Sequence, residues 1–252
     1  MRFASLGSGS EGNALVVQSG QTCILMDCGF TLIETEARLA RLGLPAGQLS
    51  GIVVTHEHGD HINGVARLAR KHAIPVWMTH GTRQAQCDAL ADLTEITPLH
   101  SFAIGELQVQ PYAVPHDAAE PVQYVFSDGA KRLGVLTDTG CSTPHIEATL
   151  NGCDALVLEC NHDPYMLANG DYPASLKQRV GGRFGHLNNA EAAALLARLD
   201  YRRLQHIVAA HLSRKNNTRE LAVTALSAVL NCNKGWIAVA NQQEGLGWRE
   251  IV

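Results

Sequence analysis

The chain has 252 residues, of which 46% are hydrophobic and 17% charged, a composition typical of a globular protein with a sizeable core. Its formal net charge of −4 gives no overall positive field, so any binding of nucleic acid must depend on a local basic patch. Seven cysteines, an odd number without a CxxC pair, argue against a disulfide framework and against a cysteine zinc site.

The sequence shows neither an export signal nor a membrane span. Residues Met1–Gly7 lack the apolar core of a signal peptide, and no apolar run approaches the roughly 20 residues that a membrane helix needs. Together with the cysteine usage, this predicts a cytoplasmic protein. Because no linker, low-complexity run or fixed-period repeat occurs, we expect residues 1–252 to form one layered α/β domain.

The N-terminal part alternates apolar runs with turn residues. Residues 1–6 predict a strand followed by a glycine- and serine-rich loop, and a hairpin is expected next. Leucines at helical spacing predict a helix over 31–42 that Gly43 closes. The hairpin strands are predicted at 14–18 and 22–26, later strands at 51–54 and 75–78, and helices at 62–73 and 82–93.

The remainder predicts a run of strands and then an alternation of strands and helices. This alternation is typical of crossover connections in a layered α/β fold. Strands are predicted at 107–114, 122–126, 132–136, 155–158, 206–210 and 237–240, and helices at 189–199 and 218–230, with Asn188 as a candidate N-cap.

Residues 55–61 read Thr-His-Glu-His-Gly-Asp-His and contain four potential metal ligands. The ligands are His56, His58, Asp60 and His61. The stretch lies between an apolar strand and a predicted helix, a usual place for functional residues on a rigid scaffold. Imidazole nitrogens and a carboxylate suit zinc, iron or manganese, and the spacing lets one short loop supply two adjacent cations. The other interpretation is a polar surface loop that is rich in histidine.

Three further polar residues come soon after predicted strands. They are His116, Asp138 and His211. Because a sheet delivers the residues at its strand ends to one rim, we expect these three to join the histidine-rich loop. Each residue taken alone is equally compatible with an ordinary turn or edge position.

This ordered series resembles the motifs of the metallo-β-lactamase superfamily, and the resemblance runs from Asp27 to His211. It implies a four-layer αββα sandwich with a binuclear site at one rim. In that pattern His56, His58 and His116 hold one cation, Asp60, His61 and His211 hold the other, and Asp138 bridges them. Asp27 supports the ligand loop without binding a cation. A water held between the cations and oriented by Asp60 is the implied nucleophile.

Two positions reduce the number of superfamily branches to which this chain could belong. Asp138 argues against the antibiotic-hydrolysing branch, which carries cysteine there, and His58 argues against the flavin-linked diiron relatives, which carry glutamate. The tail, with Glu159 after a strand and His186 before a helix, is similar to ribonuclease Z and to the cyclic phosphodiesterase of phosphonate metabolism. Carried over, His186 acts at the scissile phosphate and Glu159 fixes its tautomer. The other interpretation of His186 is a hydrogen-bonding residue at a helix start.

The greatest resemblance is to the YycJ/WalJ-like group, through residues 8–13, 159–163, 185–189 and 211–217. This group is linked to nuclease activity, notably 5′-to-3′ exonuclease action on DNA. Asn188 and Cys160 depart from it, since serine is usual at both positions. The residues that could grip a phosphate or the strand backbone are Ser8, Ser10, Arg214, Lys215, Asn216 and Asn217. Their other interpretation is a set of ordinary turn residues.

We therefore expect a phosphodiesterase acting on nucleic acid, a 5′-to-3′ DNA exonuclease, with two divalent cations. Zinc is the first candidate, and manganese and iron are the alternatives. A small-molecule hydrolase of thioesters, lactones or cyclic phosphodiesters is the second hypothesis, favoured by the slight acidity of the chain. An inactive, metal-stabilised regulatory protein is the third, and the complete ligand set argues against it. No membrane partner is expected.

Overall fold

The computed structural model describes residues 1–86 and 90–252, and in them the chain forms two seven-stranded sheets. In chain order the strands are β1 Arg2–Gly7, β2 Ala14–Ser19, β3 Thr22–Met26, β4 Gly51–Val53, β5 Val76–Thr79, β6 Leu93–Ile96, β7 Phe102–Ile104, β8 Leu107–Ala113, β9 Val122–Ser127, β10 Arg132–Leu136, β11 Ala155–Glu159, β12 His206–Ala210, β13 Ala238–Val239 and β14 Leu246–Glu250. The helices are α1 Leu32–Arg41, α2 Gly59–Ile62, α3 Val65–His72, α4 His80–Ala85, α5 Pro144–Leu150, α6 Pro164–Asn169, α7 Ala174–Val180, α8 Asn189–Arg198 and α9 Arg219–Leu230, with 3-10 turns at Ala46–Gln48 and Lys234–Trp236.

The two sheets have the same plan. The first has the order β14-β1-β2-β3-β4-β5-β6, and the second has the order β13-β12-β11-β10-β9-β8-β7. In each sheet one half pairs antiparallel and the other half, β3–β6 or β10–β13, pairs parallel. Parallel neighbours need crossover connections, which here contain helices. The carboxyl ends of these parallel strands supply most of the site described below.

Three layers of buried apolar side chains hold the sheets and helices together. One layer joins α1 and α3 to the first sheet through residues such as Leu39 and Leu68. The central layer lies between the sheets and includes Phe126. The third joins α8 and α9 to the second sheet, with Leu195 and Leu226 among its members. Three apolar layers separate four layers of secondary structure, which confirms the predicted αββα sandwich.

Most predicted strands are observed within one or two residues of their expected bounds, but two helices differ. The predicted helix over 62–73 is observed as α3, which begins only at Val65, because the short helix α2 ends at Ile62 and the chain breaks at Asn63-Gly64. A Cβ atom on Gly64 would lie 2.1 Å from the Phe30 carbonyl oxygen, so the chain passes too close to Phe30 for a side chain there. This close approach explains why position 64 is a glycine.

The prediction of a helix over 82–93 is right only for residues 82–85, which belong to α4. Helix α4 ends at Ala85, and Leu93 begins strand β6, which pairs with β5. Residues 87–89 of that prediction, with Cys87, lie outside the described residues. Pairing with β5 at the edge of the sheet makes Leu93–Ile96 a strand, although the local sequence pattern predicted that the helix continues to Leu93.

The cysteine and membrane expectations concern the same described ranges. The six cysteines within them carry free thiols. Burial raises the pKa of the Cys23 thiol to about 12 and that of Cys153 to about 11, so these thiols stay protonated at neutral pH. Across residues 1–86 and 90–252, every helix is too short or too polar to cross a bilayer.

Asn188 caps α8 as predicted, and this gives a test of the fold. Its side-chain oxygen accepts a hydrogen bond from the Glu191 amide at 2.9 Å, and Glu191 Oε2 accepts one from the Asn188 amide at 3.0 Å. Asn188→Ala removes one half of this capping box and should lower the free energy of unfolding by about 1 kcal/mol. Asn188→Ser keeps an acceptor and should lose much less. Urea unfolding measures both variants, and equal losses would contradict the capping role.

Candidate metal centre

The predicted ligands converge where strands of both sheets end. Strand β3 leads into Asp27, β4 into the loop 55–61 and β12 into His211. Strand β10 ends just before Asp138, and β8 ends shortly before His116. Asp27, Asp138 and His211 have φ angles of 62°, 50° and 55°, the left-handed region that residues other than glycine seldom adopt. This strain turns each side chain from its strand into the rim.

The buried carboxylate of Asp27 organises the histidine-rich loop. It accepts hydrogen bonds from the Thr55 amide at 2.8 Å, from the Thr55 hydroxyl at 2.9 Å and from His61 Nδ1 at 2.8 Å. Because the only hydroxyl proton of Thr55 goes to Asp27, Thr55 Oγ1 accepts the contact from His56 Nδ1 at 3.0 Å. Both His56 and His61 are therefore fixed through Nδ1, which leaves Nε2 of each ring for the metal centre.

Backbone carbonyls fix the next two rings. His58 Nε2 donates to the Asp117 carbonyl oxygen at 3.2 Å, and His116 Nδ1 donates to the Gly185 carbonyl oxygen at 3.1 Å. The remaining nitrogens, His58 Nδ1 and His116 Nε2, lie 3.3 Å apart. Two nitrogens this close, both turned inward, are placed to share a cation.

A second buried carboxylate, Glu159, plays the same part on the other sheet. Its Oε1 accepts from His186 Nδ1 at 2.9 Å and from His211 Nδ1 at 3.1 Å. Its Oε2 accepts from the amides of Thr139 and Leu187, both at 3.1 Å. With four donors Glu159 is saturated, so it orients the two rings and has no free oxygen for a cation.

The inward atoms form groups that suit cations. Ligand atoms lie within 4.8 Å of one another in each of the sets His56, His58, His116, then Asp60, His61, His211, and His56, His61, Asp138. Within the described residues, the buried atoms His56 Nε2, His211 Nε2 and Asp138 Oδ2 have no hydrogen-bond partner. Buried polar atoms without partners are costly in a folded protein, and divalent cations bound at these sets would satisfy them. The donor set of imidazole and carboxylate fits such a cation.

The charges differ between the two halves of the centre. Burial and the neighbouring charge on His61 hold the pKa of His56 well below the ordinary histidine value. Burial acts in the same direction on His61, but the carboxylates of Asp138 and Asp27 outweigh it and raise the pKa of His61 well above that value. The carboxylates of Asp138, Asp60 and Glu159 likewise overcome burial at His211 and raise its pKa to about 10. A cation that binds these two rings must displace protons.

Asp60 stands on the open side of the centre. Its Oδ2 accepts from Asn13 Nδ2 at 3.1 Å and lies 3.5 Å from His61 Nε2 and 3.7 Å from His211 Nε2. The cavity there has a volume of about 170 Å³. Its lining comprises Ser10, His58, Asp60, Asp138, Asn161, Tyr172, Arg179, Val180, His186, His211 and Ser213. The cavity therefore brings His186 and four of the predicted ligands, His58, Asp60, Asp138 and His211, to one solvent-accessible space.

The six residues predicted to contact substrate fall into two groups, three exposed or near the cavity and three buried. Ser10 lines the cavity, while exposed Arg214 pairs with Glu11 and the Lys215 ammonium lies 5.6 Å from the centre of the Tyr172 ring. The other three, Ser8, Asn216 and Asn217, are buried.

The buried three support the protein rather than face a substrate. The Ser8 hydroxyl accepts a hydrogen bond from the His211 amide at 2.8 Å. The Asn217 side chain donates to the Cys160 carbonyl oxygen at 2.7 Å and to Asn189 Oδ1 at 2.9 Å. Asn216 is 1% exposed, and its backbone carbonyl accepts from the Asp163 amide at 2.8 Å. Their positions correct the expectation that they contact substrate directly.

Sequence reasoning assigned no role to several residues that the structure brings to the site. Asn13 holds Asp60, Thr55 holds His56, Asp117 holds His58, and Arg179 with Tyr172 lines the cavity. Asn13 and Asp117 had weak signals, because one lies in the Gly-Ser loop and the other follows a predicted ligand. Arg179 and Tyr172 lie in a segment without clear periodicity, and nothing in the sequence marks them.

Comparison with known proteins shows the family of this chain. Residues 22–207 match a family model described as a beta-lactamase superfamily domain. The chain is similar to exodeoxyribonuclease YycJ of Bacillus anthracis, with 38% identity over 91% of this chain and 89% of that protein. It is similar to exodeoxyribonuclease WalJ of Streptococcus pneumoniae, with 32% identity over 88% of this chain and 85% of the relative. The crystal structure of the metallo-beta-lactamase fold protein YhfI from Bacillus subtilis has a TM-score of 0.74 at 16% identity, covers 99% of both chains and supports the fold.

The hydrogen bonds of Asp27 predict a specific loss in Asp27→Asn. The amide cannot accept from all three donors, so Thr55 and the loop histidines lose their fixed orientation. The affinity for Zn²⁺ should fall by about 10- to 100-fold, the usual effect of removing a partner that orients ligands. Competition with a chelating indicator measures the affinity. The control is Asp200→Asn, which changes an exposed carboxylate that pairs with Arg202. Equal affinities in both variants would show that Asp27 does not orient the loop.

Proposed function

This chain belongs to the metallo-β-lactamase superfamily, and from that premise we propose that it is a metal-dependent phosphodiesterase that degrades DNA from the 5′ end. One observation carries the proposal. Five histidines cluster one nitrogen each at the metal centre beside the Glu159–His186 pair, while their other nitrogens are held by protein acceptors. Such an arrangement combines a site for cations with a group that can donate a proton.

We assign the ligands as the sequence predicted. His56, His58 and His116 would hold one cation, Asp60, His61 and His211 would hold a second, and Asp138 would serve both. When bound, two divalent cations, zinc first with manganese or iron as alternatives, make a water more acidic and neutralise charge on a phosphoryl oxygen. Because both sheets contribute ligands, we propose that residues 1–252 act as one domain.

The protein's own groups then have distinct tasks. Asp60 accepts a hydrogen bond from the attacking water and so points its lone pair at phosphorus. His186, fixed through Nδ1 by Glu159, offers its Nε2 proton to the departing oxygen. Burial disfavours the charged His186 ring, but Glu159 and Asp138 outweigh burial and raise its pKa, so the ring carries the proton that it donates. Asp27 holds the ligand loop still while these steps occur.

The surroundings of the cavity support a nucleic-acid substrate despite the acidic total charge. Arg179 and Tyr172 line the cavity, the Lys215 ammonium lies 5.6 Å from the centre of the Tyr172 ring, and Arg214, which pairs with Glu11, follows the lining residue Ser213 in sequence. Cations that contact phosphates and aromatic rings that stack with bases are the usual elements of single-strand binding. A local patch of this kind is what the sequence composition requires. The names of the two relatives support DNA as the substrate.

The first experiment is digestion of single-stranded DNA that carries a radioactive 5′ phosphate, by zinc- or manganese-loaded protein. A 5′-to-3′ exonuclease releases the label as a mononucleotide from the outset, whereas 3′-to-5′ digestion gives a ladder of labelled fragments. Asp60→Ala should abolish the release, and the exposed Asp200→Ala should not. The initial rate should also fall steeply with added salt, because phosphate binding releases counterions.

Two outcomes would overturn the proposal. Activity that survives in Asp60→Ala would belong to a contaminating nuclease. Intact DNA with stoichiometric metal present would favour the small-molecule hydrolase, which turns over esters nearly independently of salt.

His186 provides a second test. His186→Ala should lower kcat on DNA by about 10²- to 10⁴-fold, the usual contribution of a general acid, and leave the metal content unchanged. Atomic absorption measures the metals, and single-turnover kinetics measure the chemical step. A substrate with an activated leaving group, such as a p-nitrophenyl diester, needs no proton and should lose much less rate. Equal losses on both substrates would argue against proton donation, and a loss of metal would place His186 among the groups that hold the centre together.

A further inference from the structure

Arg179 is an arginine at the cavity that the catalytic proposal does not use. It lies in the last turn of α7, and its side chain is 60% exposed. Its Nε donates to Asp117 Oδ2 at 2.5 Å. Within the described parts of the chain, its Nη atoms form no hydrogen bond, although the residue lines the cavity. The guanidinium is therefore anchored on one side and open on the other.

Asp117 ties this arginine to the metal centre. Its Oδ1 lies 3.5 Å from His116 Nε2, and its carbonyl oxygen accepts from His58 Nε2 at 3.2 Å. Its amide donates to the Phe184 carbonyl oxygen at 3.0 Å. One aspartate thus touches two candidate ligands, the segment that follows α7 and the arginine. The guanidinium is fixed one carboxylate away from the ligand nitrogens.

The backbone beside Arg179 is equally constrained. The Val180 carbonyl oxygen accepts from the His186 amide at 2.9 Å. A Cβ atom on Gly185 would lie 2.2 Å from the Arg179 carbonyl oxygen, so only glycine allows the backbone at position 185 to approach Arg179 so closely. Arg179 and His186 are therefore held in one compact turn. An arginine that is positioned before substrate arrives loses little entropy when it binds.

We propose that Arg179 binds, through its Nη groups, a phosphate next to the scissile one. The inference rests on the proposed function, because it assumes that a phosphodiester binds at the metal centre. Because Asp117 lies between Arg179 Nε and the ligand histidines, we assign the guanidinium to the flanking phosphate and not to the scissile one. The planar fork of arginine suits two phosphate oxygens, and a lysine lacks that fork. Arg179 thereby selects a nucleic-acid chain or a bisphosphate over an isolated monoester.

Calorimetric binding to the zinc-loaded protein tests this without requiring turnover. Thymidine 3′,5′-bisphosphate offers two phosphates, and thymidine 5′-monophosphate offers one. Arg179→Gln should weaken binding of the bisphosphate by about tenfold or more, the usual effect of losing a charge-assisted hydrogen bond, and that of the monophosphate by less than about twofold. Arg179→Lys should restore only part of the affinity. The matched control is Arg183→Gln, the same charge change at an exposed residue of the same segment that does not line the cavity.

Three results would overturn the assignment. They are an unchanged affinity for the bisphosphate, an equal loss for both nucleotides, and an equal loss in Arg183→Gln. Failure of the proposed function can be distinguished from failure of this assignment. Wild-type protein that leaves DNA intact can still bind the bisphosphate more tightly than the monophosphate through Arg179. If DNA is cleaved, Arg179→Gln should raise KM about tenfold with little change in kcat.

Discussion

The metal centre depends on one constraint: each histidine that enters the cavity needs a fixed partner for its other nitrogen. Two buried carboxylates meet most of this need, one from each sheet. Asp27, after β3, holds His61 directly and His56 through Thr55, while Glu159, at the end of β11, holds His186 and His211. Burying a carboxylate is unfavourable unless donors surround it; Glu159 has four donors, and Asp27 has three, which oppose but do not outweigh the effect of burial that raises the pKa of Asp27. The same hydrogen bonds stabilise the carboxylates and aim the rings.

The sandwich architecture explains why these partners come from distant parts of the chain. Both sheets place the carboxyl ends of parallel strands at a common rim, and the sets His56, His58, His116 and Asp60, His61, His211 each combine residues from the two sheets. The left-handed backbone at Asp27, Asp138 and His211 turns the side chains across the gap between sheets. Such conformations cost about 1–3 kcal/mol each and persist where the surrounding structure fixes them. Here the three apolar layers provide that rigidity.

The segment between β11 and α8 differs in character from the rest of the fold. Helices α6 and α7 contribute little to the core, with Leu167 their only buried residue in the described structure. This segment is held instead by hydrogen bonds at the site. They join Arg179 to Asp117, Gly185 to His116 and His186 to Glu159. A segment that is ordered by the site and exposed to solvent is suited to determine which substrate binds. The proposed phosphate contact of Arg179 belongs to this segment.

Local sequence determined the elements whose signal is contiguous. The loop 55–61 was evident because its ligands are adjacent, and the apolar runs before Asp138 and His211 marked two further strand ends. The resemblance of this series to a known family gave the αββα sandwich. Only the tertiary structure decided the close approach of Gly64 to Phe30, the strand β6, the buried places of Ser8, Asn216 and Asn217, and the pairing of Asp117 with Arg179. These features arise from contacts between residues far apart in the chain, and local periodicity carries no information about such contacts.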